Sequence, residues 1–151
     1  MLTLQEISDR FEIEDLMVRY SHAVDTQQWE LLDEVFTADA RIDYSAMGGA
    51  CGGLTEIKQF LASVMPNFLA FQHAISNSSI TVDGETATGR TMCQNPMLVG
   101  AADGEQNLML CGLWYLDTFR RVDGRWRIAE RVEEKSYMFL AAAPGAQQQP
   151  G

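Results

Sequence analysis

An α+β fold is predicted for this 151-residue chain, with three N-terminal helices covering a curved antiparallel sheet. Three observations predict it. Apolar residues in the first third recur at helical spacing, and from Phe71 onward the pattern changes to long strands. Polar segments, Asp83-Gly84, Ala102-Asp103-Gly104 and Asp123-Gly124, separate those strands as hairpin turns do. Helices followed by such a meander place the helical layer on one face of the sheet. Three short helices do not fill the hollow of a curled sheet, so a cavity opening to one end is expected, the default place for a ligand.

Ile13, Leu16, Met17, Tyr20 and Val24 share one helical face, which predicts a helix over residues 4–24. Trp29, Leu32 and Phe36 mark a second, shorter helix near residues 27–36. Residues 38–46 then alternate, with Ala40, Ile42 and Tyr44 on one face and Arg41 and Asp43 on the other, a strand with Tyr44 inward. Gly48-Gly49-Ala50-Cys51-Gly52-Gly53 is read as a loop, and it lacks the spacing of a phosphate-binding glycine motif. Thr55 is expected to cap a third helix, in which Leu54, Ile57, Leu61 and Val64 form a stripe up to Pro66. Phe71-Gln72-His73-Ala74-Ile75 reads as a strand, and the last strand runs from Arg125 to about Met138. Residues 1–140 are read as one domain, and residues 141–151, rich in small residues, Pro and Gln, as a mobile tail.

Acidic residues outnumber basic ones 21 to 11, a net charge of −10 that disfavours nucleic acid, whose phosphates need clustered cations. The longest apolar run, Leu108 to Trp114, falls far short of the roughly 20 residues of a membrane span. No secretory signal pattern opens the sequence, so a cytoplasmic location is expected. Cys51, Cys93 and Cys111 form no CxxC, and with only two histidines no metal set is completed; reduced thiols are the reading. GxSxG, HExxH and DxDxDG are absent, which turns the search away from serine or metal hydrolysis.

His73 and Asp25 are the leading candidates for chemistry. A carboxylate in the last turn of an apolar helix is opposed by desolvation and by the helix dipole, so it calls for a partner such as an imidazole N–H. If Asp25 holds one ring nitrogen of His73, it fixes the tautomer and leaves the other nitrogen to take a substrate proton. The competing readings are a His73 bonded to a backbone carbonyl, and an Asp25 that faces water, caps the next helix or pairs with His22 three residues away. Tyr20 and Tyr44, on apolar faces, are each most simply packing residues with a hydrogen-bonded hydroxyl; together with His73 they would hold a substrate carbonyl or hydroxyl oxygen. Arg131 alternates with Arg127 and Ala129 on the last strand; if that face turns inward, it brings a cation that balances Asp25 and polarises a leaving group, and otherwise it is solvated or paired with the glutamates of residues 130–134. Met47, Met65, Met92, Met97 and Met109, with Phe60, Phe68 and Trp114, are read as core that would also suit a flat apolar ligand.

The stretch from Ile13 to Asp43, the Gln72-His73 segment and the closing Trp114-Tyr115-Leu116-Asp117 and Asp123-Gly124-Arg125-Trp126-Arg127-Ile128 patterns resemble the SnoaL-like branch of the nuclear transport factor 2-like superfamily. The resemblance covers residues 4 to 139 and implies a cone-like barrel with a deep pocket. Within that superfamily the chain is most similar to the dehydratase group, which includes scytalone dehydratase, bile-acid dehydratases and hexachlorocyclohexane dehydrochlorinase. The resemblance implies a catalytic pair at Asp25 and His73, tyrosines at Tyr20 and Tyr44 and an arginine at Arg131. Dehydrochlorinases have a lysine where this chain has Tyr20, which argues against halide elimination. Scytalone dehydratase has a second histidine on a later strand, where this chain offers Gln94, Asn95 or Met97.

The expectation is therefore a cofactor-independent dehydratase acting on a hydrophobic, oxygenated ring compound, a steroid, polyketide or aromatic catabolite. Its alternatives are an isomerase or cyclase, or a non-catalytic binding subunit of the ring-hydroxylating dioxygenase β type. The resemblance also implies a homo-oligomer, a trimer in preference to a dimer.

Overall fold

The structure, a computed structural model, describes residues 1–101 and 104–142. Helix α1 spans Leu4–Asp25 and starts in a capping box, in which the Thr3 hydroxyl accepts from the Glu6 N–H and the Glu6 carboxylate accepts from the Thr3 N–H. Its apolar face, from Ile13 to Val24, is buried as the spacing predicts. The helix closes with the Gln28 N–H donating back to the Ala23 carbonyl at 2.9 Å, around Gln27 at φ 54°. That is a Schellman closure made without glycine.

The second helix is a 3-10 helix, Trp29–Glu34, followed by β1, Phe36–Asp43. Ala40, Ile42 and Tyr44 do share the buried face, although Tyr44 lies one residue past the strand, at the start of a 3-10 turn, Ser45–Met47. The glycine-rich segment differs from a plain loop: Cys51–Gly52 form a short strand, β2, antiparallel to Ile42 and Asp43. Helix α2, Leu54–Val64, is preceded by Gly53 at the cap position, with no side-chain cap. Thr55 already lies inside the helix and does not cap it.

The remaining strands are β3, Ala70–Phe71; β4, Ala74–Asp83; β5, Thr86–Gly100; β6, Gln106–Val122; and β7, Arg125–Ala142. They form one seven-stranded sheet in the order β2-β1-β7-β6-β5-β3, with β4 also paired to β5. The fold is the expected α+β plan of helices on a curved, unclosed sheet. β4 to β7 are an antiparallel meander, but β1 pairs with β7 in parallel. No hairpin joins β1 to β7, so no local turn encodes the direction of that pairing. Asp123 and Gly124, at φ 50° and 74°, make the tight β6–β7 turn that the Asp-Gly pair predicts. β7 extends past Met138, and Ala141 and Ala142 pair with Leu108 and Asn107. The rest of the expected tail, and most of the Ala102-Asp103-Gly104 turn, lie outside the described residues.

Two irregularities set the site. Between β6 and β7, Phe119 faces Ile128 and Thr118 faces Glu130, so Ala129 is an extra residue in β7. Such a bulge resets which side chains face inward. Trp126 and Ile128 are buried before it and Arg131 after it, while Arg127, expected on the same face as Arg131, is not. At the other edge, β3 stops at Phe71 and β4 begins at Ala74, so His73 lies in a break between strands instead of within one. Pro96 on β5 is opposite that break: the Gln72 N–H donates to its carbonyl at 3.2 Å, but proline has no N–H to return. The ladder lapses there, and the His73 N–H turns away from the sheet.

Behind the core, α1 is clamped to the β6–β7 hairpin. Buried Asp9 accepts from Arg121 Nη2 at 2.5 Å, Gln5 Nε2 at 3.0 Å and Trp126 Nε1 at 3.1 Å. Burial works to raise the Asp9 carboxyl, but these donors outweigh it and hold it below the ordinary carboxylate range.

Candidate active site

Asp25 and His73 meet. His73 Nδ1 is 2.6 Å from Asp25 Oδ1, and the His73 backbone N–H, released by the ladder break, donates to the same carboxylate at 3.0 and 3.2 Å. These bonds replace the hydration lost at the end of α1 and oppose the helix dipole that disfavours a negative charge there. Asp25 is not bonded to His22, so the competing pair within α1 does not form. The His73 side chain is 7% exposed and that of Asp25 24%, since Asp25 backs onto an outer depression bordered by Gln72 and Leu98.

The other ring nitrogen, Nε2, is 3.0 Å from Asn95 Nδ2 on β5. With Nδ1–H donated to Asp25, Nε2 presents its lone pair and the Asn95 amide donates to it, an assignment consistent with the bonds on both sides. Asn95 Oδ1 is buried without a partner. Of the three residues expected near a second histidine's place, Asn95 is the one that touches His73.

His73 and Asn95 border a cavity of about 120 Å³, enclosed by the two tyrosines, apolar residues of α2 and the segments around it (Phe60, Leu61, Met65, Phe68), and by Met97, Leu113, Tyr115 and Glu133 of the sheet. Of the expected methionine and aromatic lining, Met47, Met65, Met97, Phe60 and Phe68 border this space. Trp114 does not; it lies under the Arg90 guanidinium, 3.7 Å from its ring centre.

Tyr20 and Tyr44 are both buried, their hydroxyls 2.8 Å apart. One donates to the other, which leaves one O–H of the pair for a ligand. Burial raises the pKa of both; at Tyr20 the nearby Arg131 offsets part of this, and at Tyr44 the rise is larger. Both stay neutral donors. Gly49 holds Tyr44 in place: a Cβ there would lie 2.7 Å from Tyr44 Cβ, and its N–H donates to the Tyr44 carbonyl at 2.9 Å.

Arg131 is fully buried, as the inward reading of its face expects, but its partner is Asp117 of β6 and not Asp25. Its Nε and Nη2 each donate to the Asp117 carboxylate at 2.8 Å. Its guanidinium carbon lies 4.1 Å from the ring centre of Tyr20 and 3.9 Å from that of Tyr115. Burial works to lower its pKa, yet the Asp117 carboxylate holds it well above the ordinary arginine value, so the cation persists. Arg131 is outside the set of residues bordering the cavity, and its charge reaches that space through the two tyrosine rings.

Glu133 went unrecognised as a site residue in the sequence. Strand alternation carries the signal, because whatever turns Arg131 inward turns Glu133, two residues on, the same way. Desolvation by its surroundings pushes its carboxyl up to about 8, more than the attraction of Arg131 offsets. Cys93, the other nucleophile type nearby, is buried and pushed up to about 12, too high for a thiolate at neutral pH.

Residues 5–132 match the SnoaL-like domain model, and the chain belongs to that family. Its fold is the cone of the nuclear transport factor 2-like superfamily. An uncharacterized Mycobacterium tuberculosis protein is 48% identical over 137 residues, which are 91% of this chain and 92% of that one. Among solved structures, the Kfla4162 protein of Kribbella flavida superposes with a TM-score of 0.79 at 26% identity, over 87% of this chain and 93% of its own. The hexachlorocyclohexane dehydrochlorinase LinA-type3 of Novosphingobium barchaimii shares the fold with a TM-score of 0.74 at 20% identity, over 98% and 99%. No helix among the described residues is long and apolar enough to cross a membrane.

Proposed function

We propose that the protein is a cofactor-independent lyase that removes water from a hydrophobic, oxygenated ring compound. The observation that carries this reading is the His73 Nδ1–Asp25 contact of 2.6 Å, with the opposite ring nitrogen held by Asn95 at the cavity wall. Asp25 orients the ring and stabilises the imidazolium formed when Nε2 accepts a proton from carbon. A substrate displaces the Asn95 amide from Nε2, and the freed amide is then available to a substrate oxygen. The Tyr20–Tyr44 pair donates to the oxygen on which charge builds, and Arg131 stabilises that charge from behind the rings. Arg131 is therefore a positioning residue in this reading. A cavity of about 120 Å³ takes one six-membered ring, and a larger substrate extends through the mouth.

Dehydration of candidate ring alcohols, read by loss of water in product mass, tests the proposal. His73→Ala and Asp25→Asn are expected to lower turnover by about 10²–10⁴-fold, the usual contribution of general base catalysis. Full turnover in both variants would sink it. The Tyr20–Tyr44 donor pair also suits an enolate, which favours isomerisation as a second reading; there the product mass equals the substrate mass.

A homotrimer in the cytoplasm is part of the proposal. Tyr137, Met138, Phe139 and Leu140 near the end of β7 are exposed apolar residues, which supports association, and Cys51, Cys93 and Cys111 are free thiols. Light scattering on the eluting peak gives the number of subunits.

A further inference from the structure

Among the described residues the two buried acids, Asp9 and Asp117, are both paired, whereas Glu133, partly buried, has one carboxylate oxygen enclosed without a partner. Asp9 accepts from three side chains and Asp117 from two nitrogens of Arg131. Glu133 borders the cavity, and its Oε2 is shut off from solvent with no hydrogen-bond partner among the described residues. Arg131, its neighbour on the same face of β7, commits Nε and Nη2 to Asp117. A carboxyl oxygen enclosed for structure alone would be bonded as those are, because an unpaired one costs stability.

We propose that Glu133 is a catalytic acid: it binds the departing hydroxyl of the substrate in its neutral form and gives it a proton. This rests on the dyad reading for removal of the carbon-bound proton. His73 and Glu133 border the same cavity, His73 beside Asn95 of β5 and Glu133 on β7, with β6, which pairs Cys111 with Asn95 and Tyr115 with Glu133, between those strands. In one turnover Nε2 of His73 takes the proton from carbon, and the C–H electron pair becomes the new C=C bond. The adjacent C–O bond breaks toward oxygen, and the Glu133 proton completes a water molecule. Imidazolium and carboxylate remain, and the proton returns from His73 to Glu133 through the water of the opened cavity. No oxidant, reductant or metal is consumed. The need for an acid selects a hydroxyl leaving group, since halide departs without a proton.

The groups around Glu133 allow it to stay neutral. Tyr20 of α1, Tyr44 beyond β1, Tyr115 and Cys111 of β6 and Cys93 of β5 all have raised pKa values, with burial the first cause of each. The charged neighbours are Arg131, paired with Asp117, whose attraction for a carboxylate is outweighed by burial, and Asp43, which opposes a second negative charge. Lys135, two residues on along β7, acts on Cys111, and His73 borders the same cavity.

Two measurements on the full chain test the assignment. In the ¹³C-glutamate-labelled protein, the Glu133 carboxyl signal, assigned through its own backbone, is expected to stay protonated at pH 7 and to titrate near 8. Cyclohexanone, a single ring with one oxygen acceptor, is the binding probe, and methylenecyclohexane, its hydrocarbon isostere, is the control. Cyclohexanone affinity is expected to fall about tenfold above the Glu133 transition, the worth of one hydrogen bond, and to be flat with pH in Glu133→Gln. The control is expected to show no such step. On a ring alcohol turned over by the wild type, Glu133→Gln is expected to lower kcat by about 10²–10³-fold with KM little changed.

An ionised Glu133 at pH 7, a cyclohexanone step that persists in Glu133→Gln, or full turnover in that variant would overturn the proposal. The carboxyl titration is read in the wild-type chain and does not depend on the variant folding. If His73→Ala kept its turnover while Glu133 titrated and bound the ketone as expected, the dyad reading alone would fall. Loss of turnover in His73→Ala with ketone binding indifferent to Glu133 would remove only the acid.

Discussion

Arg131 and Asp117 show why a cation can be kept at full burial. Two parallel N–H bonds of 2.8 Å satisfy the carboxylate, and the rings of Tyr20 and Tyr115 face the guanidinium. Removing one partner leaves the other charge alone in the core. Asp117→Ala is therefore expected to cost about 3–5 kcal/mol of unfolding free energy, measured by urea denaturation. The residue types at this site were legible in the sequence: a histidine in an apolar segment, a carboxylate ending an apolar helix and tyrosines on apolar faces all pointed inward. The partner of Arg131 was not, because Asp117 and Arg131 come together only through the β6–β7 register.

At the level of elements, the clamp between α1 and the β6–β7 hairpin depends on Asp9. Asp9→Ala removes the acceptor of Arg121, Trp126 and Gln5. It is expected to cost roughly 2 kcal/mol, the scale of hydrogen bonds to a charged group. The sign with pH follows from the lowered carboxyl: its stabilisation is present above the ordinary value of 3.8 and is lost as pH falls through the lower folded value. Acid unfolding of Asp9→Asn should lack that component. The helices, the first strand's inward face and the Asp-Gly turns were readable from periodicity and turn chemistry. The Ala129 bulge and the β3–β4 break were not, since both arise from what a neighbouring strand presents, Phe119 and Thr118 in one case and Pro96 in the other.

For the whole molecule, Glu133 links the cavity to stability. Its carboxyl sits at about 8 when folded against an ordinary 4.5. Between these values the folded chain holds a proton that the unfolded chain has released, so stability falls as pH rises across the window and levels off above it. The slope from this group approaches about 1.4 kcal/mol per pH unit. Glu133→Gln is expected to flatten that stretch of a melting-temperature profile and to be more stable than wild type above it.

Local order needs only near neighbours, and the sequence by itself determined that much: helices where apolar residues recur at 3.6, strands where they alternate, turns at Asp-Gly, and a family pattern spread over nearly the whole chain. The tertiary structure decided the partnerships. It gave Asp25 to His73 instead of His22, gave Arg131 to Asp117, set Asn95 on Nε2 and turned Glu133 into the cavity. The reason is that strand register and bulges are set by contacts between residues far apart in the chain, and one extra residue such as Ala129 moves the side chains after it, up to the next extra residue at Ser136, to the opposite face.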